Sequence, residues 1–107
     1  RLPIPEAARR YMDTHFCDDV RVADAANEVG VSREHLIRAF RGEYGVTPMR
    51  YVRRRRISAA ATLLSDTSLP VSIVADETGF GDVQQFSRLF KNLVGETPTE
   101  YRKRVRR

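Results

Sequence analysis

Eight arginines fall within residues 32–65, against only two acids, Glu34 and Glu43. Four of them, Arg53 to Arg56, are consecutive. A guanidinium carries planar, two-pronged donors that fit a phosphate or the outer edge of a guanine, and a lysine ammonium lacks that fork. Seventeen of the nineteen basic residues are Arg. The flanking stretches are closer to neutral: residues 1–31 hold four Arg against six acids, and residues 66–107 hold seven basic residues against six acids. One strongly basic stretch in such a chain suggests a polyanionic partner, most often nucleic acid; the plainer reading is a solvated basic face with no partner.

Other chemistries have less to work with. His15 and His35 are the only histidines and Cys17 the only cysteine, with no further ligand at metal-binding spacing. Neither a metal site nor an internal disulfide is expected. Ser, His and Asp occur at no catalytic spacing, so the chain is not expected to be an enzyme, and no cofactor is expected. No apolar run approaches the ~18 residues that span a bilayer, which argues against a membrane partner. Glu6, Arg9, Arg10, Asp13, Asp18 and Asp19 interrupt the first twenty residues and rule out a signal peptide there. A length of 107 residues allows one ordinary domain, or two very small ones sharing a helix. The expected setting is the cytoplasm, with nucleoid association when bound. A chain opening on Arg1 rather than Met is expected to be a fragment of a longer polypeptide.

The elements that must position these arginines come in two copies. At an offset of 49, Val22, Ala26, Glu28 and Gly30 match Val71, Ala75, Glu77 and Gly79. At an offset of 50, Arg38, Phe40, Gly45, Thr47, Pro48, Tyr51 and Arg54 match Arg88, Phe90, Gly95, Thr97, Pro98, Tyr101 and Arg104. The extra residue falls just after the second glycine, within a turn. Val22, Ala25, Ala26 and Val29 form the apolar stripe of a short helix that Gly30 can end. Ser32 can cap the next helix, in which Leu36, Ala39 and Phe40 share a face. Gly45 ends that helix, and Thr47-Pro48 starts another. In the second copy Asp82 with Gln85 predicts a capping box, Phe86, Leu89 and Phe90 the stripe, and Thr97-Pro98 with Glu100 a second box. Residues 48–65 read as one long helix, about 27 Å at 1.5 Å per residue. Residues 66–70 read as a loop, and residues 5–17 as a first helix with Ala8, Tyr11, Met12 and Phe16 inward. No segment alternates like a strand, so the expected fold is all-α.

Helix, glycine turn, helix is the helix-turn-helix pattern. With Leu36 and Phe40 buried, about 100° per residue places Glu34, Ile37, Arg38 and Arg41 on the outer side. With Phe86 and Phe90 buried, the same step exposes Gln84, Ser87, Arg88 and Lys91. Arg suits guanine and Gln suits adenine, while an exposed Ile37 would suit a thymine methyl or else lie partly covered by a neighbouring helix. In the basic run, Arg54 and Arg55 are expected outside. Arg53 and Arg56 are expected to face inward, with Arg56 a structural residue. Tyr51 and Tyr101 read as packing residues.

The stretch Phe86-Ser87-Arg88-Leu89-Phe90-Lys91, with Gly95, Thr97-Pro98, Tyr101 and Arg102, resembles the signature of AraC/XylS-type transcription regulators. Gly30, Ser32, Leu36, Phe40, Gly45, Pro48 and Tyr51 of the first copy fit the same pattern, as do Arg56, Ala60, Leu63 and Leu64. The resemblance covers roughly residues 5–104, with one departure at Gly81, where a Ser or a charged residue is more usual. It implies seven helices in two helix-turn-helix subdomains, at 5–47 and 66–107, joined by the linker helix 48–65. It implies that the helices near 33–41 and 83–91 enter successive major grooves, which adds Arg33 and Val83 to the candidate DNA contacts. The implied partner is double-stranded DNA at a promoter, with RNA polymerase as a further candidate and a small-molecule effector only through an N-terminal domain outside this chain. Two alternatives share the architecture: the DNA-targeting module of a repair protein, and a non-specific architectural binder.

Overall fold

The computed structural model describes residues 2–106, so Arg1 and Arg107, at the ends of the expected domain, lie outside the described residues. Among the described residues seven helices succeed one another: α1 (Ile4–His15), α2 (Val22–Val29), α3 (Arg33–Tyr44), α4 (Pro48–Asp66), α5 (Val71–Glu77), α6 (Val83–Val94) and α7 (Pro98–Val105). No strand occurs among them, and the fold is all-α. The chain divides into two compact units between Arg53 and Arg54, inside α4. Each unit has its own core. The first buries Ala8, Met12, Ala25, Ala26, Leu36, Phe40 and Val52. The second buries Ile57, Ala60, Leu64, Val74, Ala75, Phe86 and Phe90.

The helix-turn-helix corner is built alike in both units. Gly30 sits at φ 77°, in the left-handed region that a side chain disfavours. That reversal lets the Val31 N–H reach back to the Ala26 carbonyl at 3.1 Å, satisfying an oxygen the helix end would leave orphaned. In the second unit Gly79 is left-handed at φ 94°, and the Phe80 N–H reaches the Ala75 carbonyl at 2.9 Å. Ala26 and Ala75 are buried where a larger residue would hold the two helices apart. Gly81 is the inserted residue, because Val31 pairs with Phe80 whereas Ser32 pairs with Asp82.

Capping fixes where α3, α6 and α7 begin. The Ser32 hydroxyl accepts from the His35 N–H at 3.1 Å. The Asp82 carboxylate accepts from the Gln84 and Gln85 N–H groups at 2.8 and 3.4 Å. The expected box with Gln85 is half formed: Asp82 caps by itself, and no bond returns from the Gln85 side chain. One carboxylate oxygen serves both N–H groups, and the Gln85 side chain is left exposed. At α7 the box is complete, with the Thr97 hydroxyl accepting from the Glu100 N–H at 3.1 Å and the Glu100 carboxylate from the Thr97 N–H at 2.8 Å.

The helices that follow α3 and α6 are each tied back by an aromatic pair. Tyr51 meets Phe40 edge-on at 5.6 Å, and Tyr101 meets Phe90 at 5.5 Å. Such pairs add about 0.5–1.5 kcal/mol beyond area burial. The Tyr51 hydroxyl also donates to the Asp13 carboxylate on α1. In the second unit Arg102 donates to the Leu64 and Thr67 carbonyls at 3.0 and 3.2 Å, satisfying groups where α4 ends.

The basic run divides differently from the expectation. Arg53 and Arg54 are exposed, while Arg55 and Arg56 are half-buried. An unbroken wheel places Arg53 on the inner stripe. But α4 gives Val52 to the first core and Ile57, Ala60 and Leu64 to the second, and Arg53 stands at the changeover, exposed.

The backbone and the caps each yield a stability prediction. Gly42 lies inside α3, and a Cβ added there meets nothing within 4 Å. Gly42→Ala should therefore stabilise the chain by about 1 kcal/mol and raise the Tm by ~4–8 °C, whereas Gly30→Ala at its positive φ should lower it; thermal melts followed by circular dichroism read both. Hydrogen bonding to Thr97, first to its backbone N–H and then to its hydroxyl, holds the Glu100 carboxyl below the usual carboxylate range. A lowered folded value means that this contribution is present above the ordinary carboxylate pKa and is lost as pH falls through the lowered one. Thr97→Ala should cost about 1 kcal/mol and return the Glu100 titration, followed by carboxyl NMR, only part of the way to its ordinary value, because the backbone N–H that lowers it most is kept.

Candidate nucleic-acid interface

A helix that buries two side chains four residues apart, with the others free, presents the residues opposite those two positions. In α3 the buried pair is Leu36 and Phe40, and in α6 Phe86 and Phe90, all four fully buried. Burial runs in the same order, residue by residue, from Ser32 to Pro48 and from Asp82 to Pro98. The two units therefore hold the same scaffold in register and differ in what it displays.

On α3 the helical projection places Glu34, Arg38 and Arg41 on the outer side, with Glu34 and Arg41 exposed, and on α6 Gln84, Arg88 and Lys91, with Gln84 and Lys91 exposed. Arg38 and Arg88, at matching positions of the two units, are alike in this and both exposed. Arg33 and Val83 lie only about 60° from the buried anchors Leu36 and Phe86, yet as the first residues of their helices they are exposed as well. Ile37 and Ser87, expected on the outer side, pair in the same way, with Ile37 half-buried and packed against the first core. At about 100° per residue each lies only ~60° from the second buried aromatic, on the border of the face rather than opposite it. Two exposed residues join the face: His35 and Gln85, in the first turn of each helix. Helical projection sets His35 on the flank, and capping-box spacing assigns Gln85 to a cap; only the observed Asp82 geometry releases the Gln85 amide.

The two faces carry different electrostatics. On α3 the Arg33 guanidinium stands 3.9 Å from the Glu34 carboxylate, with the side chains 61% and 68% exposed. Water screens such a pair, so either partner can turn to a ligand at little cost. Helix α6 contains no acid, and its cations are Arg88 and Lys91. Its N-terminus is capped by the Asp82 carboxylate, whereas that of α3 is capped by the neutral Ser32 hydroxyl. The offset of 50 pairs Arg38 with Arg88 and Arg41 with Lys91, so only the middle and last turns keep the same charge in both. Among the described residues no three His, Cys, Asp or Glu side chains gather to hold a metal ion, and no helix is long and apolar enough to cross a membrane.

These two corners and faces have counterparts in known proteins. A family model described as a helix-turn-helix domain matches residues 25–104. The chain is 34% identical over 100 residues to the HTH-type transcriptional regulator YisR of Bacillus subtilis, covering 94% of this chain and 35% of that protein. It is 35% identical over 96 residues to the arabinose operon regulatory protein of Escherichia coli, covering 89% of this chain and 33% of that protein. The chain thus spans about a third of the length of these relatives. Among solved structures, the C-terminal domain of AraT, a response regulator from Geobacillus stearothermophilus, superposes with a TM-score of 0.91 at 32% identity over 95% of this chain and 85% of that one. The DNA-binding domain of AdpA, a global transcriptional factor solved in complex with a target DNA, gives 0.91 at 25% identity over 99% and 95%. With the family model matching most of its length and relatives of this kind throughout, the chain belongs to the AraC/XylS-type helix-turn-helix family.

Proposed function

We propose that this chain binds double-stranded DNA sequence-specifically, with α3 and α6 each lying in a major groove, and that it does so to regulate transcription. The observation that carries the reading is the pair of outward faces. Two helices held in the same register by buried aromatic and aliphatic anchors present cations and amides that no fold requirement explains. Further support comes from the AdpA domain, solved with its target DNA, whose fold this chain shares. Arg38 and Arg88 are the proposed guanine readers, because a bidentate guanidinium discriminates by about 1–3 kcal/mol. Arg33 and Glu34 add contacts to the first half-site, and Val83 and Gln84 to the second. Arg41 and Lys91 are proposed phosphate contacts, while Ile37 and Ser87 sit at the groove's edge. The unequal faces favour a non-palindromic site read by one chain, not a two-fold site read by a dimer.

In this reading the 5–47 and 66–107 subdomains and the 48–65 linker helix form a DNA-binding domain that is not an enzyme. It acts in the cytoplasm and on the nucleoid, and any small-molecule effector acts through another part of the protein. RNA polymerase is the proposed further partner at the promoter.

Selection from random duplexes should recover a consensus with two dissimilar halves. About 6–10 phosphate contacts imply that affinity falls by ~10³–10⁵-fold between 50 and 200 mM salt. Arg38→Ala and Arg88→Ala should each cost about 1–3 kcal/mol and relax preference in one half only. Arg41→Ala and Lys91→Ala should weaken all sequences alike and flatten the salt slope. Binding with no salt dependence, or with no preference over bulk DNA, overturns the proposal.

A further inference from the structure

The first turns of α3 and α6 occupy equivalent places on equivalent scaffolds, yet their chemistry is opposite in kind. In α3 the three positions after the cap are Arg33, Glu34 and His35, all exposed and charged or basic. In α6 they are Val83, Gln84 and Gln85, all exposed and uncharged. Val83 keeps 39% of its surface exposed. Neither glutamine side chain has a hydrogen-bond partner among the described residues, since Asp82 caps through their backbone N–H groups alone. The turn thus displays an exposed branched aliphatic beside two primary amides that no group of the fold engages. It is a good match to an A·T pair, which offers a methyl group on thymine and an acceptor–donor edge on adenine for a bidentate amide.

We infer that the two half-sites differ in base composition in a fixed order: the first turn of α6 reads A·T pairs, and the first turn of α3 reads G·C pairs. The inference rests on the proposed DNA binding and deepens it by naming the target. In the second half-site Val83 covers thymine methyls, and the Gln84 and Gln85 amides pair with adenine N6 and N7. A G·C pair there would present a cytosine amino group to Val83 and leave it unpaired, which is costly in a dehydrated groove. In the first half-site Arg33 donates to guanine O6 and N7, and Glu34 accepts from the cytosine amino group. Their mutual ion pair at 3.9 Å is exposed enough to be exchanged for both contacts. Arg38 and Arg88, identical in the two copies, place one guanine in each half, so the difference is confined to the pairs beside it.

The test exchanges one turn for the other. Val83→Arg, Gln84→Glu and Gln85→His together give α6 the first turn of α3 while leaving Asp82 and the buried Phe86 and Phe90 untouched. Random-duplex selection is run on the wild-type chain, on this triple variant and on Gln85→Ala, with helicity checked by circular dichroism. The wild type should yield A·T pairs beside the guanine in one half and G·C pairs in the other. The triple variant should convert the A·T pairs to G·C, leave the other half unchanged, and bind the wild-type site roughly 5- to 150-fold more weakly per altered pair. Gln85→Ala, the milder change, should relax a single adenine. G·C pairs in both wild-type halves, or a wild-type consensus that neither variant alters, overturn the inference while leaving specific DNA binding intact. A wild-type chain that selects no consensus overturns the proposed function itself and this inference with it.

Discussion

The rotation of α3 and α6 about their own axes is set by two buried side chains four residues apart, Leu36 and Phe40 in α3 and Phe86 and Phe90 in α6. Burying a side chain of this size is worth roughly 1.5–3 kcal/mol, and turning the helix by one residue would forfeit both while forcing Arg or Lys inward. The outward face is thus a by-product of the inward one. The left-handed glycine at the corner and the hydroxyl or carboxylate cap then fix where the helix starts. The edge-on tyrosine, Tyr51 or Tyr101, anchors the next helix against it. With rotation, start and end determined, the displayed residues can vary without disturbing the fold.

This separation explains why so much of the scaffold is legible in the sequence. The stripes at Val22–Val29, Leu36–Phe40 and Phe86–Phe90 announce helices because burial demands a 3.6-residue period, and Gly30, Gly45 and Gly95 announce their ends because left-handed backbone favours glycine. The helices and the complete Thr97–Glu100 box are readable for that reason. Harder to read is anything that depends on a second body. Ile37 and Ser87 lie on the border of the wheel, where packed neighbours rather than angle decide exposure. Arg53 lies on a stripe that is interrupted because α4 supplies two cores in succession. Gln85 is hidden by a motif: a Gln three residues after an Asp satisfies the spacing of a capping box, but spacing does not show that the reciprocal bond forms.

The candidate face is legible in its cations and not in its contrast. Arg38, Arg41, Arg88 and Lys91 stand out in any helical projection, and they are also the positions at which the two units agree in charge. The units differ in the turn before them, where Arg33, Glu34 and His35 stand in one copy and Val83, Gln84 and Gln85 in the other. That contrast has meaning only once both turns are known to be exposed alike, as the matching burial from the cap to the following proline shows.

A duplicated unit with divergent faces also has a thermodynamic consequence. Two modules on one chain convert the second engagement into an intramolecular step, so that overall affinity exceeds that of either half without any new contact. Each face can then stay individually weak, with a few bidentate contacts and a modest share of the phosphates, and still contribute to a tight complex. A wrong base in either half costs about 1–3 kcal/mol, so both halves contribute to discrimination. With the base preferences inferred above, the asymmetry between the two first turns adds direction, because a site presented in reverse would set Val83 against a G·C pair and Arg33 against an A·T pair. In the proposed reading, one chain would therefore carry a polarity that a two-fold symmetric dimer lacks.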